Sequence, residues 1–286
     1  DGSTDRTLAI VDRARRATPP ARKISWRVET RRARIGFSRN FATACNWANG
    51  SLIALCDQDD IWAPEKLEVL LGVLRERPAD LVFTDAFLIN SRGAKIGSLL
   101  APPIISNFER ALLSRDPLAA LLRRNYVTGA TVMMSARMAK ASFPVPAGWA
   151  HDEWFAANAA SIGSAVFVPK RLISYRQHGA NLIGARRDPF FTEALARLRV
   201  ARARSAELAE RKNVGWIEIS QRNDPRIPLA ARERIKQKVK FDTARAGLAA
   251  SRPWRLPMIL KWWLTGKYLQ FSRDQFEAVR DLMIKK

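Results

Sequence analysis

Apolar and polar positions change period along this chain, and the changes mark out its elements. Residues 4–17, TDRTLAIVDRARRA, set Leu8, Val11 and Ala14 at helical spacing, with Ser3 or Thr4 as the expected cap. Residues 39–50, RNFATACNWANG, predict a second helix stopped by Gly50. SLIALC, residues 51–56, has the apolar character of a short buried strand. APEKLEVLLGVLRER, residues 63–77, predicts a helix with Pro64 near its start, where a missing N–H does no harm. ADLVFTDAFLI, residues 79–89, reads as a strand, and NSRGAK then turns the chain back. GATVMMS (129–135) and SAVFVPKRLISYRQH (164–178) supply further strands. Strands alternating with helices predict a mostly parallel sheet flanked by helices on both faces.

Past Gly184 the pattern changes. EALARLRVARARSAELAERK and LAARERIKQKVKFDTARAGLAA are helical and basic, separated by the Pro-bearing RNDPRIP. The division predicts an α/β domain over residues 1–184 and a basic, amphipathic helical region over residues 185–286. The later region holds 24 basic and 11 acidic residues, the earlier one 25 and 16, for a net charge of +22. That balance favours an anionic partner: nucleic acid, an anionic membrane surface or a phosphorylated substrate. No stretch of about 18 uninterrupted apolar residues marks a membrane span. The segment RPWRLPMILKWWLTGKYLQF, residues 252–271, interleaves Trp and Leu with Arg and Lys. It is expected to lie on a membrane surface, the alternative being that its aromatics pack under the α/β domain or pair two subunits. Two cysteines, Cys45 and Cys56, and two histidines, His151 and His178, make neither a disulfide framework nor a Cys/His zinc site. Cys56 reads as a small core residue, and the cysteine usage as that of a reducing, cytoplasmic protein.

The chemistry concentrates in LIALCDQDDIW, residues 52–62, where a strand runs directly into Asp57, Asp59 and Asp60. Unpaired carboxylates so close together repel one another, so a positive group is expected among them. Carboxylates are the hard oxygen ligands that Mg²⁺ or Mn²⁺ prefers, commonly one or two of them with substrate phosphates. The competing reading is an acidic turn capping the next helix, which one Asp would satisfy. DGSTD at residues 1–5 combines a turning Gly with capping hydroxyls and needs no ligand to explain it. HDEWFAANAASIG places Asp152 and Glu153 at a helix start between Trp149 and Trp154. Acids are ordinary there too. His178 follows a strand beside Tyr175, Arg176 and Gln177, a density of polar and aromatic groups that points to a pocket.

Taken in order, DGSTD, GFSRNFATACNWANG, LIALCDQDDIWAPEKL, HDEWF and YRQHGANLIG resemble glycosyltransferase family 2, most closely the rhamnosyltransferase-like members that build bacterial surface polysaccharides. The resemblance covers residues 1 to about 185. It implies the GT-A fold, a Rossmann-like sheet that binds a nucleotide-sugar, and the cofactor Mg²⁺ or Mn²⁺. It also implies roles. Asp1 would recognise the nucleotide base or ribose, and Arg39 and Asn40 would line the nucleotide pocket. Asp57 and Asp59 match the family's Asp-x-Asp motif, with Asp59 the metal ligand and Asp57 nearer the ribose. Asp152 would be the base that deprotonates the acceptor hydroxyl for inverting transfer, and His178 would help hold the metal or diphosphate. The implied partners are a nucleotide-sugar donor and a glycan or lipid-linked acceptor, with a peripheral location on the cytoplasmic face of the membrane. The family's opening strand and loop precede the position of Asp1, so the domain is expected to be N-terminally incomplete. Two other classes compete. A nucleic-acid-binding protein fits the charge, but the acidic cluster would repel a nucleic acid. A sugar nucleotidyltransferase of similar architecture carries a Gly-rich basic loop near its first strand, a region this chain does not contain.

Overall fold

The computed structural model describes residues 2–19, 21, 23–102, 104–177, 194–248, 252–273 and 276–283. Six strands form one sheet: β1 (Leu52–Ala54), β2 (Ile61–Trp62), β3 (Leu81–Ile89), β4 (Lys95–Ser98), β5 (Val132–Ser135) and β6 (Ala165–Arg176). Their order is β1-β5-β3-β6-β2, with β4 also paired to β3. β3 and β6 run parallel. β5 lies between β1 and β3 and is antiparallel to both, so β1, β3 and β6 share one direction.

The α/β architecture is the expected one, but the sheet is not mostly parallel. Among the described strands β3–β6 is the single parallel pairing, while β4, β5 and β2 all run against their neighbours. A hairpin reverses β4. After β3 the chain turns through Asn90, whose side chain accepts from the N–H groups of Arg92 and Ala94, and descends as β4. Helices α4 (Asn107–Arg115) and α5 (Pro117–Leu121) therefore start from a reversed strand and return the chain to the carboxyl end of the sheet. β5 enters from that end.

Three helices precede these. α1 (Thr7–Ala17) is led not by Ser3 or Thr4 but by Asp5, whose carboxylate accepts the Thr7 N–H at 2.9 Å. α2 (Phe37–Trp47) stops three residues before Gly50, and α3 (Lys66–Glu76) begins two residues after Pro64. α6 (Ala136–Ala141) and α7 (His151–Ser161) follow β5. Continuous apolar sequence becomes continuous burial in β3, where Phe87 alone is only half-buried, and Phe83 meets Phe167 of β6 at 5.3 Å. Asp85 is fully buried there and is held by Arg110 and Arg171 at 3.2 and 3.3 Å and by the Leu100 N–H at 2.7 Å. Cys45 is buried, but Cys56 is exposed, because β1 ends at Ala54 and the chain has left the core by then.

The described residues after 193 form helices α8 (Ala194–Gln221), α9 (Leu229–Ala246), α10 (Arg252–Leu264), α11 (Lys267–Phe271) and α12 (Phe276–Met283). Trp216 and Ile219 of α8, Ile227 in the loop before α9 and Ile235 of α9 join the same buried cluster as Trp149, Trp154 and Phe155. Trp149 and Trp216 stand edge to face at 5.2 Å. Gly215 permits this approach, since a Cβ there would sit 2.4 Å from Trp149 Nε1. Among the described residues no helix is long and apolar enough to cross a membrane.

Candidate functional site

The topology brings four chain segments to one end of the sheet. β1 ends there and releases the acidic loop. Because β5 is antiparallel, its entrance lies beside that end, and the Leu55 N–H donates to Val132 O at 3.2 Å. The 3-10 turn Gly129–Thr131, just before Val132, therefore lies beside the start of the acidic loop. β2, directly after the acidic loop, pairs with Ile173 and Ser174, so the carboxyl end of β6 and its Tyr175 and Arg176 come to the same place. The start of α7 completes the group: Asp152 Oδ2 accepts the Gly129 N–H at 2.7 Å.

Asp57, Asp59, Asp60 and Asp152 gather around this point. Burial pushes the Asp57 carboxyl above its usual range, and the charges of Asp59 and Asp152 push it further. Asp60 is driven up to about 6, first by burial, with Asp57 and Asp59 adding to it. Its Oδ1 accepts the Arg176 N–H at 2.9 Å, whereas Oδ2 is buried without a hydrogen-bond partner. Arg176 closes the loop from behind, donating from Nε to Asp59 O at 2.8 Å. Tyr175 is raised to about 12 by burial and then by all four carboxylates, which places its phenol among them. Burial dominates at Asp152 as well and raises its pKa, although two backbone N–H groups, of Gly129 and Glu153, stabilise the carboxylate. Asp152 is not the helix cap that its position first suggests, since Ala150 occupies the cap position of α7.

Among the described residues Lys66 is the one cation buried among these acids. It is wholly buried at the start of α3, its Nζ lies 3.6 Å from the centre of the Trp62 ring, and it donates to Ala130 O at 2.6 Å. Burial lowers its pKa to about 8, against the pull of Cys56, Asp60 and Asp57. The turn at 129–131 is thus fastened twice, by Lys66 at Ala130 and by Asp152 at Gly129. Gly129 also admits His151: a Cβ there would lie 3.1 Å from His151 Nε2 and 3.5 Å from Asp152 Oδ2. The His151 ring stacks on Phe41 at 4.4 Å with Phe37 and Phe155 edge-on, and neither ring nitrogen has a hydrogen-bond partner.

The remaining predicted residues divide. Asn40 is half-buried on α2 and accepts from Arg31 Nη1 at 3.0 Å, while Arg39 is exposed on the same helix. Asp1 and His178 lie outside the described residues. Sequence reasoning missed Lys66 and Gly129 and gave Tyr175 no role. A cavity of ≈ 250 Å³, lined by Arg137, Asn158, Arg222 and Arg226 among others, shares no residue with the acidic cluster.

Residues 1–135 match the family model described as Glycosyl transferase family 2. An uncharacterized protein of Mycobacterium bovis is 29% identical over 181 residues, covering 62% of this chain and 48% of its own length. Two uncharacterized proteins of Mycobacterium tuberculosis match with the same figures. The chain spans about half the length of the curated relatives it matches. In fold it is similar to S. aureus TarS, residues 1–349 in complex with UDP-GlcNAc, with a TM-score of 0.53, 16% identity, and coverage of 99% of this chain and 69% of that one. The fold is α/β of the GT-A type.

Proposed function

We propose that this chain is an inverting glycosyltransferase in which Asp152 activates an acceptor hydroxyl and the Asp57–Asp60 loop receives a nucleotide-sugar diphosphate together with a divalent cation. The observation that carries the reading is the juxtaposition of Asp152 with the Asp57 loop, seen in the charge that each imposes on Asp57 and Tyr175. A base and a donor site must face each other across the reacting carbon.

The residues fit a cation shared with substrate. Among the described residues no three His, Cys, Asp or Glu side chains form a cage of their own. A hard divalent ion bound through one or two carboxylates and two phosphate oxygens needs no such cage. The crowded, partly desolvated carboxylates, with Asp60 Oδ2 unsatisfied, are a donor set that gains from a cation. Asp59 would hold it, with Asp57 towards the ribose; when bound it would neutralise the departing diphosphate.

This chain's own residues do the rest. Asp152, held by Gly129 and Glu153 N–H groups, keeps free lone pairs on both oxygens to take the acceptor's proton. As the acceptor's oxygen, losing its proton to Asp152, bonds to the anomeric carbon, the bond to the diphosphate breaks on the opposite face, giving inversion. Burial raises the basicity of Asp152. The finer reading takes a glycan or lipid-linked acceptor in surface polysaccharide synthesis, with rhamnose as the sugar that the motif resemblance favours.

The test is a screen of nucleotide-sugars, UDP-GlcNAc and deoxythymidine-diphosphate rhamnose included, following nucleoside diphosphate release with and without Mn²⁺. Calorimetry with Asp59→Asn accompanies it. Donor binding that depends on Mn²⁺ in the wild type and is lost in the variant is expected. Equal binding by both would remove Asp59 from the cation site.

A further inference from the structure

The helix α10 is apolar on two sides. Arg255, Ile259 and Trp262, at helical spacing, face inward and are buried. Trp262 and Tyr268 of α11 pack around Phe241 of α9 at 5.2 and 5.5 Å. The opposite side should be polar if water were its only neighbour. Instead it carries Trp254, Leu260 and Leu264, which are 81%, 49% and 68% exposed, with Lys261 beside them. α12 repeats the pattern, with Phe276, Val279 and Met283 all more than half exposed.

Along α10 and α11 the charges have one sign, and the two acids of α12, Glu277 and Asp281, are already paired with Arg245. From Thr243 to Arg273 the sequence contains no Asp or Glu, but six Lys and Arg residues. Among the described side chains two are used internally. Arg245 pairs with Glu277 and Asp281, and Arg255 Nη2 donates to Leu282 O at 2.7 Å. Lys261 and Arg273 are exposed, and Lys267 is bonded only to the neutral side chains of Gln237 and Gln270 in the hydrogen bonds observed.

We infer that the outward face of α10, with α11 and α12, is a docking surface for an anionic lipid bilayer. Trp and Leu enter the interfacial region while Lys and Arg stems reach back to the headgroups. Each basic side chain near an anionic leaflet contributes about a fivefold gain in partitioning, so three give roughly a hundredfold. At 13 residues α10 is too short to span the bilayer and lies in its plane. A second copy of the chain would bring the same uncompensated positive charge to this face, which disfavours self-pairing. A nucleic acid would leave the apolar side chains in water. The inference is independent of the proposed reaction, since its test reads binding alone.

The experiment is flotation of the 286-residue chain with phosphatidylcholine vesicles and with vesicles that also contain phosphatidylglycerol. Two variants are compared, Trp254→Ser/Leu260→Ser/Leu264→Ser and Lys261→Gln/Lys267→Gln/Arg273→Gln. The wild type is expected to float with the anionic vesicles only. The apolar variant should lose at least about tenfold in apparent affinity with an unchanged melting curve, and the basic variant should lose the preference for phosphatidylglycerol. Should the triple variant fail to fold, Trp254→Ser and Leu264→Ser are measured singly. Absence of wild-type flotation, or equal flotation of wild type and variants, would overturn the inference. So would a concentration-dependent dimer that the apolar substitutions abolish while flotation persists, since the face would then join two copies.

Discussion

At the scale of residues, the site is a contest between desolvation and neighbouring charge, and Lys66 decides how far the contest goes. Asp57 and Asp60 both rise with burial, and Lys66 is the cation that holds each of them down. Its second task is mechanical, because its Nζ secures Ala130 in the turn that also holds Asp152. Lys66→Met keeps the volume and removes both effects. Turnover should fall by about tenfold or more as Asp152 loses its fixed position. The acidic limb of the kcat/KM profile should move to higher pH, because Asp57 loses a positive neighbour. A variant with lower turnover but an unmoved pH profile would leave Lys66 a purely structural post. Asp152→Asn keeps an oxygen for the Gly129 N–H but cannot take a proton, so turnover should fall by about 10²-fold or more with donor affinity retained. Single-turnover kinetics beside donor calorimetry separates the two. The acids were legible in the sequence because they sit within a few positions of one another at a strand end. Lys66 and Gly129 were not. They meet the acids only through the fold, and a lysine in the first turn of a helix carries no local sign that it will be buried.

The elements place these residues by contacts that periodicity does not announce. α7 is buried along almost its entire length, so its apolar and polar positions show no stripe, and only the acids at its start betray it. Strands were legible from β-branched runs, and β3 appears almost as predicted. Their directions were not, since the hairpin at Asn90 reverses β4 and every later direction depends on that reversal. α2 meets α7 through an aromatic cage around His151, and this contact has a pH signature. Burial lowers the His151 pKa to about 4, whereas the unfolded chain protonates near 6.5. The unfolded state binds more protons between those values, so stability is fully present above about 6.5 and falls as pH drops towards 4, by about 3 kcal/mol. His151→Phe suits the cage of Phe37, Phe41 and Phe155 and has no proton to take up. Its melting temperature should therefore drop less than that of the wild type between about pH 7 and about pH 4.5. Equal drops would mean that His151 already finds a proton-accepting partner on folding.

At the scale of the molecule, composition suggested an α/β domain followed by a basic appendage, and packing joins the two far more closely. Trp149 and Trp154, which flank Asp152, are covered by Trp216 and Ile219 from α8, and Lys212 pairs with Glu153 at 2.5 Å. Arg222 donates to Asn158 at 2.6 Å on the same helix as Asp152, and Arg234 of α9 meets Asp116 at 2.9 Å. Trp216, Ile219, Ile227 and Ile235 are all buried, and at about 2 kcal/mol each their burial is worth about 8 kcal/mol, comparable with the whole stability of a typical domain. A chain ending at residue 193 would uncover the indole rings beside the candidate base and leave Glu153 without its ammonium partner. We expect residues 1–193 to lack a cooperative thermal transition and to bind a hydrophobic dye, whereas the full chain should unfold in one calorimetric step with matching calorimetric and van't Hoff enthalpies. Two resolved transitions in the full chain, or a cooperative melt of residues 1–193, would make the helical region a separable domain. In the joined arrangement α8 is part of the wall that positions Asp152. Charge-conserving changes at its buried face, such as Trp216→Ala, should then lower turnover as well as stability, while changes on its exposed basic face should leave turnover alone.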